Sequence, residues 1–201
     1  DLRYGSYTVM NITLPPVTIH EPETVAFLSR CGPTYYLDLT LHRPSNVDTH
    51  DALEPLVQVL ADAAQRLPLV FAVHPRTRKR LTNFALQDRL IDAGVRLVDP
   101  LSYVQFMNLV TGARVVITDS GGVQEETTYL GIPCLTLRDN TERPITVTEG
   151  SNRLVQPATL GAAIDVALQS SGRRGSRPDL WDGHAAERAV ASLRRRASIA
   201  T

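Results

Sequence analysis

Short apolar runs rich in β-branched residues alternate with longer segments of helical periodicity from about Tyr35 to the end of the chain. Strands that alternate with helices in this way are typical of parallel strands joined by crossover helices. The runs predict six strands, at residues 35–41, 69–73, 95–98, 114–118, 133–137 and 153–155. The expected fold is therefore α/β, a Rossmann-like parallel sheet with helices on both faces.

Helical periodicity is clearest in residues 48–66, where Leu53, Leu56, Val57 and Leu60 recur at intervals of three and four and make one apolar face. The same pattern predicts further helices at residues 78–93, 103–110, 122–130, 142–150, 158–169 and 184–196.

The polar stretch at residues 170–178 predicts a linker between the last two helices. On this basis the chain divides into an N-terminal segment of unclear role, a Rossmann-like domain, and a linker with a C-terminal helix: residues 1–34, 35–170 and 171–201. Because the sequence begins with Asp1 rather than Met, we expect it to be a segment of a longer protein.

The composition argues against several classes of function. Lys plus Arg and Asp plus Glu number 21 each, so no overall field attracts nucleic acid or an anionic membrane. No apolar run approaches the length of a membrane span, and no signal peptide is evident. Cys31 and Cys134 lie far apart without metal-ligand spacing, so we expect buried free thiols, no metal, no cofactor, and a reducing, cytoplasmic location.

The most informative stretch is VVITDSGGVQEETTYL, residues 115–130, in which an apolar strand leads through Ser120, Gly121 and Gly122 into a helix. A helix start presents unpaired backbone N–H groups, and its dipole favours negative charge. Glycines let an oxyanion approach the backbone, and a serine adds a donor, so the pattern indicates a phosphate site. A tight strand-to-helix turn without a ligand would use the same residues.

Glu125 and Glu126 follow in what we expect to be the first turn of that helix. Carboxylates there stabilise a helix through its dipole, which explains both without a ligand. One turn from a phosphate, however, a carboxylate could also accept hydrogen bonds from the hydroxyls of a ribose.

Two further segments fall at the ends of strands and so on the same edge of the sheet, where open α/β sheets bind ligands. In RDNTERP, residues 138–144, Thr141 is expected to cap the next helix, with Glu142 in its first turn and Pro144 near its start. The same loop could offer Arg143 to a substrate.

His42 and His74 each follow a strand, in the sequences LHRP and VHPR. An imidazole there could neutralise phosphate or pass a proton, or it could serve as a structural hydrogen-bonding group. The basic run at residues 76–80 predicts a solvated helix face, because no aromatic residues are interleaved as in a nucleic-acid site.

Seven motifs, taken in order, resemble the C-terminal domain of the bacterial non-hydrolysing UDP-N-acetylglucosamine 2-epimerases. The resemblance covers about Tyr35 to Ala191. The motifs are TLHRPSNVD (40–48), VHPRTRKRL (73–81), DPLSYVQF (99–106), TDSGGVQEE (118–126), GIPCLTLRDNTERP (131–144), GSNRLV (150–155) and LWDGHAAERAV (180–190).

The resemblance implies the C-terminal half of a glycosyltransferase-B-like two-domain fold, with the active site in the cleft between the domains. Such an isomerase interconverts UDP-N-acetylglucosamine and UDP-N-acetylmannosamine by eliminating UDP and adding it back, in cell-surface polysaccharide biosynthesis. Residues 35–170 would then be the UDP-binding domain. The family's proton-moving carboxylates lie largely in an N-terminal domain that this chain lacks, which implies a fragment, a truncated product or half of a split enzyme.

By the same resemblance, the diphosphate would be held by Ser120, Gly121 and Gly122, the ribose hydroxyls by Glu126, and the uracil would pack near Phe106.

The resemblance also makes His42 the active-site histidine, Arg143 a ligand-contacting residue in the cleft and His74 a neighbour of the nucleotide-sugar. It leaves a homodimer open. The alternatives are a UDP-sugar glycosyltransferase, a hydrolysing epimerase, or a non-catalytic UDP-binding module.

Overall fold

A computed structural model of the chain describes residues 37–169 and 177–199. Within them the strands form one six-stranded sheet of order β3-β2-β1-β4-β5-β6, in which every neighbouring pair is parallel. The strands are β1 (Leu37–Thr40), β2 (Leu69–Ala72), β3 (Arg96–Val98), β4 (Val115–Thr118), β5 (Cys134–Leu137) and β6 (Asn152–Val155). The strand order reverses direction between β1 and β4, and such a switch point opens a crevice at the carboxyl ends of the two strands.

Helices connect the strands and follow the last one. In chain order they are α1 (Pro44–Val47), α2 (His50–Ala64), α3 (Pro75–Asn83), α4 (Gln87–Asp92), α5 (Tyr103–Gly112), α6 (Gly121–Leu130), α7 (Pro144–Thr148), α8 (Pro157–Gln169) and α9 (Ala185–Ile199). No helix within the described residues is both long and apolar enough to cross a membrane.

Two apolar cores lie on opposite faces of the sheet, because successive side chains of a strand alternate between its faces. In β4, Val115 and Ile117 join the larger core, which α2 and α8 cover. Val116, between them, joins the smaller core, to which α5 contributes Met107 and α6 contributes Val123. Helices therefore cover both faces, as the sequence pattern predicts.

All six predicted strands are present, and the boundaries within the described residues differ from the predicted ones by one residue or less. The prediction of one helix over residues 78–93 is wrong, because α3 and α4 are separate. Ala85, between them, has a φ of 55°, a left-handed conformation that a continuous helix does not allow. Helix α1 was not predicted.

Some predictions concern other parts of the chain. The N-terminal segment 1–34, Cys31 and most of the predicted linker lie outside the described residues. Cys134 is a buried free thiol, as expected, and burial raises its pKa to about 11. The proposed division into domains stays a prediction.

Candidate functional site

A buried carboxylate joins the ends of β1 and β4 at the switch point. Asp119 follows β4 and is fully buried. Its carboxylate accepts hydrogen bonds from the backbone amides of His42, at 3.1 and 3.2 Å, and of Arg43, at 2.8 Å. The side-chain amide of Asn46 donates a further bond of 3.0 Å. Asp119 therefore fixes the loop after β1 against the end of β4.

The same carboxylate orients the imidazole of His42, whose Nδ1 lies 2.8 Å from Asp119 Oδ1. This hydrogen bond raises the pKa of His42, although partial burial of the ring acts against it. Burial alone would raise the pKa of Asp119, but the bonds from His42, Arg43 and Asn46 outweigh it and lower that pKa. The pair favours a protonated imidazole whose side chain, 41% exposed, remains accessible to a ligand.

His74 lies beside His42, with 5.7 Å between the ring centroids. Its Nδ1 accepts a bond of 3.2 Å from the backbone amide of Arg76 and so caps the start of α3. The structure thus gives His74 a structural task and also brings it next to the other predicted histidine.

Helix α6 starts at the switch point with an open N-terminus. Ser120 is its N-cap residue, but the serine side chain makes no capping hydrogen bond. Neither Gly121 nor Gly122 has a positive φ, so the turn does not require glycine at these positions. A Cβ atom added at Gly122 would meet nothing within 4 Å. The glycines keep space free in front of the helix, as an approaching anion needs.

Basic side chains surround this helix start. Arg138, whose side chain is 7% exposed, pairs through both terminal nitrogens with the carboxylate of Glu142, each bond being 2.7 Å. Arg43 donates from Nε to the backbone oxygen of Asp119 at 2.9 Å, and its Nη2 lies 3.8 Å from Glu142. Arg138 lowers the pKa of Glu142 to about 2.

Glu125 and Glu126 lie in the second turn of α6, because the helix begins at Gly121, so the prediction of the first turn is wrong. Both are buried. Glu125 Oε1 pairs with Arg143 Nε at 3.0 Å. Stabilisation of the helix start therefore does not explain these carboxylates.

Glu126 hydrogen-bonds with the hydroxyl of Tyr103 in α5. Burial raises the pKa of Glu126, and burial and the nearby Glu126 carboxylate raise that of Tyr103 to about 12. Phe106 is three residues further along α5, one turn from Tyr103, and packs partly buried against the smaller core. The predicted ribose and uracil residues thus come from neighbouring helices.

The loop before α7 differs from expectation. Arg143, not Thr141, is the N-cap residue, and Glu142 precedes the helix instead of lying in its first turn. Pro144 opens the helix as predicted. The hydroxyl of Thr141 instead accepts from the Arg143 amide at 2.9 Å and donates at 2.6 Å to the side chain of Gln124.

Gln124, fully buried in α6, links this loop to the start of α6. Its Nε2 donates to the backbone oxygen of Ser120 at 3.2 Å. Its Oε1 accepts from Thr141 and, at 3.1 Å, from Asn152 Nδ2. Asn152 also donates to the Thr146 hydroxyl, which in turn donates to the Arg143 carbonyl at 2.7 Å. Both backbone polar groups of Arg143 are therefore held by one buried network.

Sequence reasoning assigned no role to four residues of this site: Asp119, Arg43, Arg138 and Gln124. For Asp119 a signal existed, since a carboxylate directly after an apolar strand lies at the sheet edge. The network around Gln124 joins residues that are distant in sequence, and periodicity carries no information about it.

All seven of the predicted binding residues and His42 lie within the described residues. Ser120, Gly121 and Gly122 form the start of α6, and His42 and His74 lie together across the switch point. Among residues 37–169 and 177–199, no group of three or more His, Cys, Asp or Glu side chains could hold a metal ion.

Comparison with known proteins identifies close relatives. The family model described as UDP-N-acetylglucosamine 2-epimerase matches residues 5–194. The UDP-N-acetylglucosamine 2-epimerase of Methanocaldococcus jannaschii is 39% identical over 163 residues, which are 79% of this chain and 44% of the relative. The UDP-2,3-diacetamido-2,3-dideoxy-D-glucuronate 2-epimerase of Pseudomonas aeruginosa is 38% identical over 133 residues, 66% of this chain and 35% of that protein.

The fold is shared as well. The structure of the M. jannaschii enzyme in complex with UDP-GlcNAc and UDP superposes with a TM-score of 0.70 at 36% identity, over 88% of this chain and 49% of that one. The chain spans about half the length of the curated relatives it matches. Together with the parallel sheet, this coverage confirms the expected half of a glycosyltransferase-B-like fold.

Proposed function

We propose a function from the family to which this chain belongs, the UDP-N-acetylglucosamine 2-epimerases. In this proposal the chain forms the UDP-binding half of a non-hydrolysing enzyme that interconverts UDP-N-acetylglucosamine and UDP-N-acetylmannosamine. The observation that carries the proposal is the open N-terminus of α6 at the switch point, beside His42 and two arginines. A solved relative binds UDP-GlcNAc and UDP.

The nucleotide would lie across the carboxyl ends of β1 and β4. In this arrangement the backbone of Ser120, Gly121 and Gly122 holds the diphosphate, because the helix start supplies N–H donors and a favourable dipole. Glu126 accepts the ribose hydroxyls in place of, or together with, the Tyr103 hydroxyl. Phe106 lies one turn along α5, where it packs against the uracil.

His42 would assist the departure of UDP. Elimination removes the proton from C2 of the sugar and breaks the bond between C1 and the diphosphate oxygen, which leaves a glycal and UDP. Negative charge then develops on the diphosphate, and an imidazolium that Asp119 keeps protonated stabilises it by charge or by a hydrogen bond. We expect Arg143 and His74 to contact the nucleotide-sugar as well. The return of a proton to C2 from the opposite face, with addition of UDP at C1, completes the epimerisation.

The remaining parts of the proposal concern the whole protein. The carboxylates that move the C2 proton belong to an N-terminal domain, which closes the cleft from the other side. We expect a cytoplasmic location, where a free thiol such as Cys134 stays reduced. A homodimer fits the same proposal.

Calorimetry on the 201-residue chain tests the central claim. UDP should bind at least about ten-fold more tightly than uridine, since charge-assisted bonds to a diphosphate are worth roughly 1.5–3 kcal/mol each. Equal affinity for the two would remove the diphosphate site from the proposal.

Two glycine variants locate that site. Gly122→Ala and Gly161→Ala each add one methyl group to a helix; the added Cβ meets nothing within 4 Å at the first and only Val59, at 3.8 Å, at the second. Both proteins should be folded and no less stable than the parent. Only Gly122→Ala should weaken the binding of UDP, because its methyl group projects into the space that the anion needs.

A second candidate is a 2-epimerase for a different UDP-sugar. The P. aeruginosa relative carries such a name. Most of the residues proposed here would contact the UDP moiety, which such substrates share. Incubation of the complete two-domain protein with each UDP-sugar in heavy water distinguishes the substrates, because epimerisation incorporates deuterium at C2. The same measurement excludes a glycosyltransferase, which transfers the sugar to an acceptor without exchange at C2.

A further inference from the structure

Glu142 places a carboxylate at the mouth of α6, where the proposed function puts a diphosphate. Its two oxygens accept from both terminal nitrogens of Arg138 at 2.7 Å. Nη2 of Arg43 lies 3.8 Å from the same carboxylate. A Cβ atom added at Gly121 would lie 3.8 Å from Glu142 Oε2 and 4.0 Å from Arg138 Nη1. An anionic side chain therefore occupies the basic surroundings of the helix start.

The two members of this ion pair differ in exposure. The side chain of Arg138 is 7% exposed, whereas that of Glu142 is 57% exposed and belongs to the loop before α7. The guanidinium is thus held in place, while the carboxylate has solvent to move into. A guanidinium binds a phosphate with the same two-pronged geometry as a carboxylate, so a ligand phosphate fits the position of Glu142.

We propose that Arg138 is a diphosphate-binding side chain and that the carboxylate of Glu142 takes the place of a phosphate on it until the nucleotide displaces it. The inference rests on the proposed function, since it concerns the same anion site. Because Arg138 holds the pKa of Glu142 at about 2, protonation does not open the site near neutral pH. Displacement by a stronger anion does.

Glu142→Gln tests the proposal by removing the charge while keeping the shape of the side chain. Without the internal competitor, UDP should bind the variant roughly two- to five-fold more tightly than it binds the parent chain, the range expected for a partly exposed ion pair. Inorganic pyrophosphate should gain by a similar factor, and uridine should gain nothing. Arg138→Gln should lower the affinity for UDP and for pyrophosphate and leave the affinity for uridine unchanged.

Asp139→Asn is the matched control, because it removes one negative charge from the same loop. The Asp139 carboxylate accepts from Gln156 Nε2 at 2.7 Å and takes no part in the Arg138 pair. Its affinity for UDP should equal that of the parent. An equal gain in UDP affinity in Asp139→Asn and Glu142→Gln would overturn the proposal, since the loss of one negative charge from the loop would then explain both.

Two other results separate this inference from the proposed function. If the parent binds UDP and Glu142→Gln binds it no more tightly, Glu142 supports Arg138 and does not compete with the ligand, so the inference fails alone. If the parent does not bind UDP, the proposed function fails and the inference fails with it. Thermal unfolding of each variant checks the fold, which the exposed Glu142 should not affect.

Discussion

The loop after β1 and the loop after β5 each bring an arginine past the end of a strand, but they are held by different chemistry. The first loop contains His42 and Arg43 and is held by hydrogen bonds to the buried carboxylate of Asp119. The second loop contains Arg143, whose backbone amide bonds to the Thr141 hydroxyl, and this hydroxyl in turn bonds to the buried side-chain amide of Gln124.

The difference teaches how one sheet edge supports two kinds of task. A buried carboxylate couples the position of its loop to a charge, so it also sets the protonation of the imidazole it touches. A buried amide network satisfies hydrogen bonds without any charge and therefore fixes geometry at every ordinary pH. Proton or charge chemistry suits the first loop, and positioning of a fixed cation suits the second.

The largest effect is expected from His42→Asn in the complete two-domain enzyme. Turnover should fall by about 10²–10⁴-fold, the usual contribution of general acid-base help. The domain should stay folded, because a half-exposed loop residue adds little to the core. Circular dichroism checks the fold, and a variant that unfolds or turns over at the parent rate contradicts the assignment.

Proton exchange at C2 divides the remaining mechanisms for this variant. Because C2 loses its proton in the same elimination that releases UDP, a role of His42 in UDP departure predicts that exchange falls together with turnover. Exchange that persists at the parent rate while turnover falls would contradict the role proposed here, because elimination would then proceed without His42.

Asp119→Asn should destabilise the chain by about 3 kcal/mol, because the buried carboxylate accepts several hydrogen bonds and bonds to a charged group are worth roughly 1.5–3 kcal/mol. Urea unfolding measures this loss, and nuclear magnetic resonance should show the pKa of His42 falling. Asp48→Asn is the control, since Asp48 pairs with Arg76 near the surface and its replacement should cost much less.

The pH dependence of this loss follows from both partners. The pKa of Asp119 is lowered on folding, so its contribution is present above the ordinary value of 3.8 and is lost as pH falls through the folded value. The pKa of His42 is raised, so its contribution is present below 6.5 and is lost as pH rises through its folded value. The difference in unfolding free energy between the parent and Asp119→Asn should therefore be largest between pH 3.8 and pH 6.5, and smaller at pH 8.

Gln124→Ala is expected to cost about 2–3 kcal/mol, because it removes the buried oxygen that accepts hydrogen bonds from Thr141 and Asn152. Unlike the loss in Asp119→Asn, this loss should be the same at pH 5.5 and pH 8, since no group of the network titrates between them. Urea unfolding at both pH values provides the measurement. A loss that varies with pH as in Asp119→Asn would abolish the distinction between the two loops.

The strands were predictable because their cores are continuous apolar runs, as Leu69, Val70 and Phe71 in β2 illustrate. The start of α6 was predictable for a related reason, since a serine and two glycines after an apolar strand leave few alternatives. The ties that hold the loops were not. Asp119 and His42 are 77 residues apart, and Gln124 and Asn152 are 28 apart, so their contacts follow from the strand order and not from local pattern.

The break between α3 and α4 was missed for a different reason. Ala85, a residue with a strong helix propensity, lies in a left-handed turn there, and local propensity favours the opposite conformation.

Glu125 and Glu126 offer the smallest test of the comparison, because these neighbouring carboxylates face different regions. Glu125 pairs with Arg143 in the second loop, and Glu126 faces Tyr103 on α5. Glu126→Gln should lower the affinity for UDP and the affinity for uridine by the same factor, about ten-fold, because a charged acceptor of two ribose hydroxyls is lost. Glu125→Gln should change uridine affinity much less, because Glu125 pairs with Arg143 in the second loop. Calorimetry with both ligands measures this, and equal uridine affinity in parent and Glu126→Gln would leave Glu126 with a structural role alone.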